Sequence, residues 1–232
     1  MKIQGLQKMT LLDFPGRVAC TVFLGGCDFR CPFCHNYELI DGSASAVMEE
    51  EELLSFLEGR KGLLDGVAFT GGEPCLRRDL PDLMRRIREM GFAVKLDTNG
   101  HHPALLAEII RQNLVDYVAM DIKNSRRHYA ETIGLKPEEF SLAAIEESVE
   151  LLKNGHTDYE FRTTVVKQLH SEDDFHEIGT WLKGAKRYFL QCFTDRDSVP
   201  FEGFSAPERE EMLRYADIMK QFVPDTQIRG ME

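Results

Sequence analysis

No apolar run in this chain approaches the about 20 residues that a membrane-spanning helix needs, although 43% of its 232 residues are hydrophobic. Its first residues, Met1-Lys2-Ile3-Gln4-Gly5-Leu6-Gln7-Lys8, lack the continuous apolar stretch of a secretory leader. A cytoplasmic, reducing location with no membrane partner is therefore expected. Positive charge is scarce: 28 Lys and Arg against 39 Asp and Glu give a net charge of −11. That balance argues against a nucleic-acid groove. There is no fixed repeat, low-complexity tract or long linker. At this length one domain is expected, with a core over residues 17–193 and an extension over 194–232 that carries a packing helix. Cysteine is sparse as well, and Cys20, Cys75 and Cys192 stand singly. A disulfide framework belongs to short secreted chains, so these three read as small buried hydrophobes.

The other three cysteines are clustered as Cys27-Asp28-Phe29-Arg30-Cys31-Pro32-Phe33-Cys34, followed at once by His35-Asn36. An iron–sulfur cube normally takes four thiolates, one per iron. A loop offering three leaves one iron open to a small molecule, as catalytic metal sites keep a position open. Structural zinc wants four ligands, usually as two pairs. No second pair exists here, and His35 is badly placed to share an ion with its neighbour Cys34. A zinc-holding interaction module is the alternative from another functional class.

Strand-like runs, short and rich in β-branched or aromatic residues, lie at 17–24, 66–70, 92–97, 117–121, 159–165 and 187–192. Helical spacing marks 48–57, 80–90, 103–111, 137–153, 172–182 and 207–222. Asp79 and Ser171 are positioned as caps, Pro103 as a first-turn residue, and Gly91 and Asn154-Gly155 as stops. Six strands alternating with helices imply βαβ units and a parallel sheet. Eight would close a full barrel; six predict a single-domain α/β fold, an open (β/α)6 partial barrel.

Active sites in such folds gather at the C-terminal ends of the strands. Gly71-Gly72-Glu73-Pro74, Asp97-Thr98, Asp121 and Gln191 fall there, and Arg162 lies on the fifth strand. Paired glycines let a backbone approach a ligand closely, or simply mark a turn. Asp97 and Asp121 in one crevice would repel unless a cation or an ammonium sat between them. Asp97 could instead cap the Thr98-Asn99-Gly100 turn. Arg162 suits carboxylate or ribose recognition, while Lys123 reads equally as a contact or a solvated lysine.

The cysteine loop after the first strand, with Thr70-Gly71-Gly72-Glu73-Pro74 after the second, resembles the radical S-adenosylmethionine enzymes. Cys34-His35-Asn36, Asp97-Thr98-Asn99-Gly100, Asp121-Ile122-Lys123 and Leu12-Asp13-Phe14-Pro15-Gly16-Arg17 are similar to the glycyl radical enzyme activases, over roughly residues 5–192. The short chain, Phe161-Arg162-Thr163-Thr164-Val165-Val166 and Leu190-Gln191-Cys192-Phe193 look most like activating proteins of anaerobic ribonucleoside-triphosphate reductase. Pyruvate formate-lyase activases come next. No further cysteine cluster lies between Cys34 and Gly71, so one cluster is implied.

The resemblance implies that Cys27, Cys31 and Cys34 bind three irons of a [4Fe–4S] cluster. The amino and carboxylate groups of S-adenosylmethionine would chelate the fourth. Reductive cleavage then gives a 5′-deoxyadenosyl radical that takes hydrogen from a glycine of a partner enzyme, with flavodoxin or ferredoxin as electron donor. Phe33 is implied against the adenine, its other reading being loop packing. His35 and Asn36 would orient the loop, His35 being equally readable as a structural histidine. Gly71, Gly72 and Glu73 are assigned to the methionine amino group, and Gln191 to the adenosine side. Asp97, Thr98, Asp121 and the Ala119 carbonyl are implied as ligands of a monovalent cation, which oxygen donors suit. Asp13 and the Phe14-Pro15-Gly16 turn would meet the glycine-bearing peptide, unless Asp13 only stabilises that turn. Lys123 would touch cosubstrate or partner. Within the superfamily the rival is an enzyme acting on a small molecule, such as a deazapurine-forming ring contraction, in which the Cys-His-Asn and Asp-Thr-Asn-Gly combination is not expected.

Overall fold

The computed structural model describes residues 1–199 and 201–231. The chain gathers into two compact units: residues 1–28, 36–98 and 102–118 form one, and residues 29–35, 99–101 and everything from Ala119 form the other.

The first unit runs β1 (Lys2–Ile3), β2 (Gly5–Thr10), β3 (Ala19–Leu24), α1 (Tyr37–Asp41), β4 (Met48–Glu49), α2 (Glu50–Glu58), β5 (Gly66–Gly71), α3 (Leu80–Glu89), β6 (Ala93–Thr98) and α4 (Pro103–Arg111). Strand β7 (Tyr117–Asp121) begins in this unit and ends in the second. The sheet order is β2–β3–β5–β6, antiparallel between β2 and β3 and parallel thereafter. Val22, Leu24, Val67, Phe69, Val94 and Leu96 are fully buried, the near-continuous apolar run of parallel strands covered on both faces. Helix α3 buries Leu80, Leu83, Met84 and Ile87 at helical spacing, and Gly91 follows with φ 97°, the left-handed stop that glycine favours.

The second unit continues with α5 (Tyr129–Thr132), α6 (Leu142–Asn154), β8 (Asp158–Val165), α7 (Glu172–Leu182), β9 (Tyr188–Cys192), α8 (Arg209–Lys220) and β10 (Thr226–Arg229). Its sheet order is β7–β8–β9–β10, with β8–β9 and β9–β10 parallel. The Ser171 hydroxyl caps α7 by accepting from the Asp174 amide at 3.4 Å. Among the described residues, no helix is long and apolar enough to cross a membrane.

The expected alternation of six strands with helices is present as β3 and β5 to β9, in a mostly parallel α/β arrangement. Several details differ. The short elements β1, β4, α1 and α5 were not expected, and Asp79, expected as a cap, makes no side-chain capping bond to α3. The helix expected from residue 137 starts at Leu142, because Pro137–Glu139 forms a 3₁₀ turn and the Ser141 hydroxyl caps from outside, accepting the Ala144 amide at 3.3 Å. Strand β2 precedes the first expected strand and pairs antiparallel with it. Strand β10 follows the last helix and extends the sheet beyond β9.

Candidate active site

In the first unit, β3 and β5 exit side by side. The Gly72 amide donates to the Leu24 carbonyl at 2.8 Å and the Glu73 amide to the Gly26 carbonyl at 2.7 Å. A Cβ on Gly72 would lie 2.0 Å from the Gly26 oxygen, and one on Gly71, at φ 118°, 2.4 Å from the Leu24 oxygen. Both glycines are thus required by the protein's own backbone, before any ligand is considered. The Gly71 carbonyl accepts the Asn36 side-chain amide at 3.0 Å, which pins the residue after the cysteine loop to the β5 exit. Glu73 is fully buried. Its Oε1 accepts the Cys75 amide and the Thr98 hydroxyl, each at 2.8 Å, so Glu73 and Thr98 brace one another. Cys75 is buried too, and burial with the nearby Glu73 carboxylate holds its thiol well above the usual range, making it a poor nucleophile.

Asp97 is ion-paired with Lys95, whose side chain is 3% exposed. The adjacent turn is held by Asn99, whose Oδ1 accepts the His101 amide at 2.9 Å. Beside Cys27, Asp28 meets His102 Nε2 at 3.0 Å, and that bond raises the imidazole pKa. Asp13 Oδ2 accepts the Thr21 hydroxyl at 2.6 Å, tying the Phe14-Pro15-Gly16 turn to β3. Next to it Leu11 and Leu12 are 71% and 90% exposed.

The second unit holds Cys31 and Cys34 in one turn, the Cys34 amide donating to the Cys31 carbonyl at 3.1 Å. Cys31 is buried, and burial pushes its thiol up to about 12 while the Lys123 ammonium pulls the other way. Phe33 is 4% exposed; burial to that degree favours loop packing over an open ring face. His35 stacks on Phe193 at 5.4 Å between ring centroids, with Nε2 2.6 Å from the Thr194 carbonyl oxygen. Lys123 Nζ lies 2.8 Å from Asp121 Oδ2, and Arg162 Nε is paired with Asp121 Oδ1. Burial alone would raise the Asp121 pKa, but Arg162 and Lys123 hold it far below the carboxylate range. Lys123 is therefore no solvated lysine. Ala119 is fully buried on β7. Gln191 is half-buried on β9, in register with Thr164 of β8 and Arg229 of β10. Cys192, expected to be buried, is only half so because it ends β9 at the strand exit.

Sequence reading passed over Lys95, although a lysine inside Phe92-Ala93-Val94-Lys95-Leu96-Asp97 stands two residues before Asp97 and so on its strand face. The Asp28–His102 pair had no such signal, since nothing local links the two positions.

Thiolates suit iron–sulfur chemistry, and Cys27, Cys31 and Cys34 stand outside any disulfide. The nearby Lys123 favours the deprotonated form of Cys31 that a metal needs, so the loop fits the cluster. A monovalent metal cation does not fit its implied carboxylates, because Asp97 and Asp121 already carry side-chain cations.

A family model for the radical SAM superfamily matches residues 21–180. A Methanocaldococcus jannaschii protein, named as a glycyl-radical enzyme activating enzyme, is 30% identical over 98% of this chain and 95% of its own. The pyruvate formate-lyase-activating enzyme of Clostridium pasteurianum is 34% identical over 53% of this chain and 52% of its own. The structure of Streptococcus suis SuiB bound to S-adenosylmethionine aligns with a TM-score of 0.69 over 90% of this chain and 52% of that one, at 12% identity, a likeness of fold alone. The α/β partial-barrel elements, the three-thiol loop and the full-length relative agree, and the chain belongs to the radical SAM superfamily, among the glycyl radical enzyme activases.

Proposed function

We propose that the protein installs a glycyl radical on a partner enzyme, with anaerobic ribonucleoside-triphosphate reductase as the favoured partner. The observation that carries the reading is the full-length likeness to the M. jannaschii activating enzyme, joined to three cysteines in one loop, none of them in a disulfide. The shorter match to a pyruvate formate-lyase-activating enzyme keeps that lyase as the second reading of the partner.

When bound, a [4Fe–4S] cluster on Cys27, Cys31 and Cys34 supplies the electron that cleaves S-adenosylmethionine to the radical that takes hydrogen from the partner's glycine. Lys123 favours the Cys31 thiolate. Past the last cysteine, His35 is held to Phe193-Thr194 and Asn36 to the β5 exit. The Glu73–Thr98 brace fixes the β5 exit, where Gly71 and Gly72 meet the methionine amino group. Asp121 with Lys123 and Arg162 carries one net positive charge, which suits the methionine carboxylate. Gln191 lines the adenosine side, and the Phe33 segment borders the adenine. Asp13 and the Phe14-Pro15-Gly16 turn, beside the exposed Leu11 and Leu12, receive the glycine-bearing segment. Residues 1–232 act as one cytoplasmic domain supplied with electrons by flavodoxin or ferredoxin.

The test is electron paramagnetic resonance on the reduced, iron-loaded protein mixed with S-adenosylmethionine and each candidate partner. A glycyl doublet with the ribonucleotide reductase and none with the lyase is expected. A doublet with the lyase alone would move the assignment to the second partner. Stoichiometric zinc, no iron and no cleavage of S-adenosylmethionine would overturn the activity itself.

A further inference from the structure

The carboxylates that a monovalent cation would occupy are matched by side chains from within the same chain. In the first unit Asp97 is paired with the Lys95 ammonium. Both stand on β6 two residues apart and project from one face of the strand. The Lys95 side chain is 3% exposed and that of Asp97 14%. A cation so deeply buried persists only with a close anion, so the pair is a fixed part of the strand. Thr98, implied as a further oxygen ligand, gives its hydroxyl hydrogen to Glu73 Oε1 at 2.8 Å. In the second unit Asp121 has Lys123 at 2.8 Å on one oxygen and the Arg162 guanidinium on the other. The Lys95–Asp97 pair is neutral, and Asp121 with Lys123 and Arg162 carries one positive charge. Each implied aspartate thus already faces a side-chain cation.

We infer that the Lys95 ammonium does by covalent attachment what the implied diffusible monovalent cation would do at Asp97, so this chain binds S-adenosylmethionine without sodium or potassium. A tethered ammonium faces its carboxylate at an effective concentration that free salt does not match, and it cannot be exchanged. Lys95 is here a positioning residue acting through Asp97. The inference rests on the site being a seat for S-adenosylmethionine.

The iron-loaded protein is titrated with S-adenosylmethionine in buffer whose only cation is choline, then with potassium or sodium added. The same dissociation constant is expected in all three. Lys95→Met is expected to weaken binding in choline by about tenfold or more, the order that losing one partner of a buried charge pair costs, and to regain affinity when potassium is added. The iron-free variant should likewise melt higher with potassium than with choline, while the wild-type melt should not change. Tighter binding by wild type on adding potassium, by about tenfold, would overturn the inference. So would a Lys95→Met protein that binds normally and ignores potassium. If that variant does not fold, the wild-type titrations decide alone. No binding in any buffer, with the cluster intact, would overturn the S-adenosylmethionine assignment and this inference with it.

Discussion

A thiol as buried as that of Cys31 holds its proton tightly, and iron binding has to remove it. Lys123 lowers that barrier, and two ligands with different surroundings share the loop with it. Cys27→Ala, Cys31→Ala and Cys34→Ala are each expected to abolish the brown iron–sulfur absorbance and cleavage of S-adenosylmethionine. Cys75→Ala should keep both and cost about 1 kcal/mol of stability, the scale of a small buried deletion; urea unfolding checks it. His170 gives a pH signature. It is buried, its Nε2–H donates to the Lys123 carbonyl at 2.9 Å, and Nδ1 accepts the Val166 amide at 3.1 Å. Burial holds its pKa below the usual imidazole value. The unfolded chain takes up the proton below about pH 6.5, so this contribution is full above that pH and fades as pH falls toward the folded pKa. Stability should drop by up to about 1.4 kcal/mol per pH unit in that window, and His170→Gln should flatten the slope in denaturant titrations. At this scale the sequence displayed residue types more readily than partners. Asp97, Asp121 and Arg162 stood out as chemistry-bearing, whereas the bonds that set their charge depend on which strands adjoin.

Strands buried on both faces announce themselves by composition, which is why β3, β5, β7, β8 and β9 were readable within a residue or two at their exits. Strand β10, Thr226-Gln227-Ile228-Arg229, is too short and too polar to stand out. It exists because α8 returns the chain to the edge of β9. There Arg229 grips the buried Glu160 with two bonds, at 2.7 and 2.9 Å, and lies over the Phe189 ring at 3.4 Å. Arg229→Met is expected to cost about 2 kcal/mol, since it takes a charged partner from a buried carboxylate. Adding Glu160→Gln should cost less than the two single changes together. Removing residues from 225 onward should bare the β9 edge and promote aggregation, measurable by light scattering. The β3–β5 exit makes a sharper case. Gly72→Ala would drive a Cβ to 2.0 Å from the Gly26 oxygen, displacing the residue before Cys27. A loss of about 2–4 kcal/mol is expected for such overpacking, together with poor iron loading although every ligand is intact.

At the scale of the molecule, the alternation of strands and helices declared the α/β partial barrel, and the motif order declared the superfamily. The two compact units were not legible. Their borders fall inside the cysteine loop and within β7, so no linker composition marks them and each unit draws on separated stretches of chain. A group that binds only the folded state stabilises it by mass action. The iron-loaded protein is therefore expected to melt above the iron-free one, and loss of iron in air should return the melt to the lower value. With a net charge of −11, encounter with an acidic electron carrier is opposed at long range. Reduction by such a carrier should speed up as salt screens the repulsion, and stopped-flow kinetics across ionic strength would show it.

The glycine pair at the β5 exit has a consequence for how such motifs are interpreted across relatives. Because a side chain there would strike the chain's own carbonyl oxygens, selection for folding alone would keep both glycines. A descendant that had lost every trace of radical chemistry would still carry them, whereas nothing in that backbone contact would preserve the three thiols. The glycines therefore date the architecture, and the cysteines the catalysis.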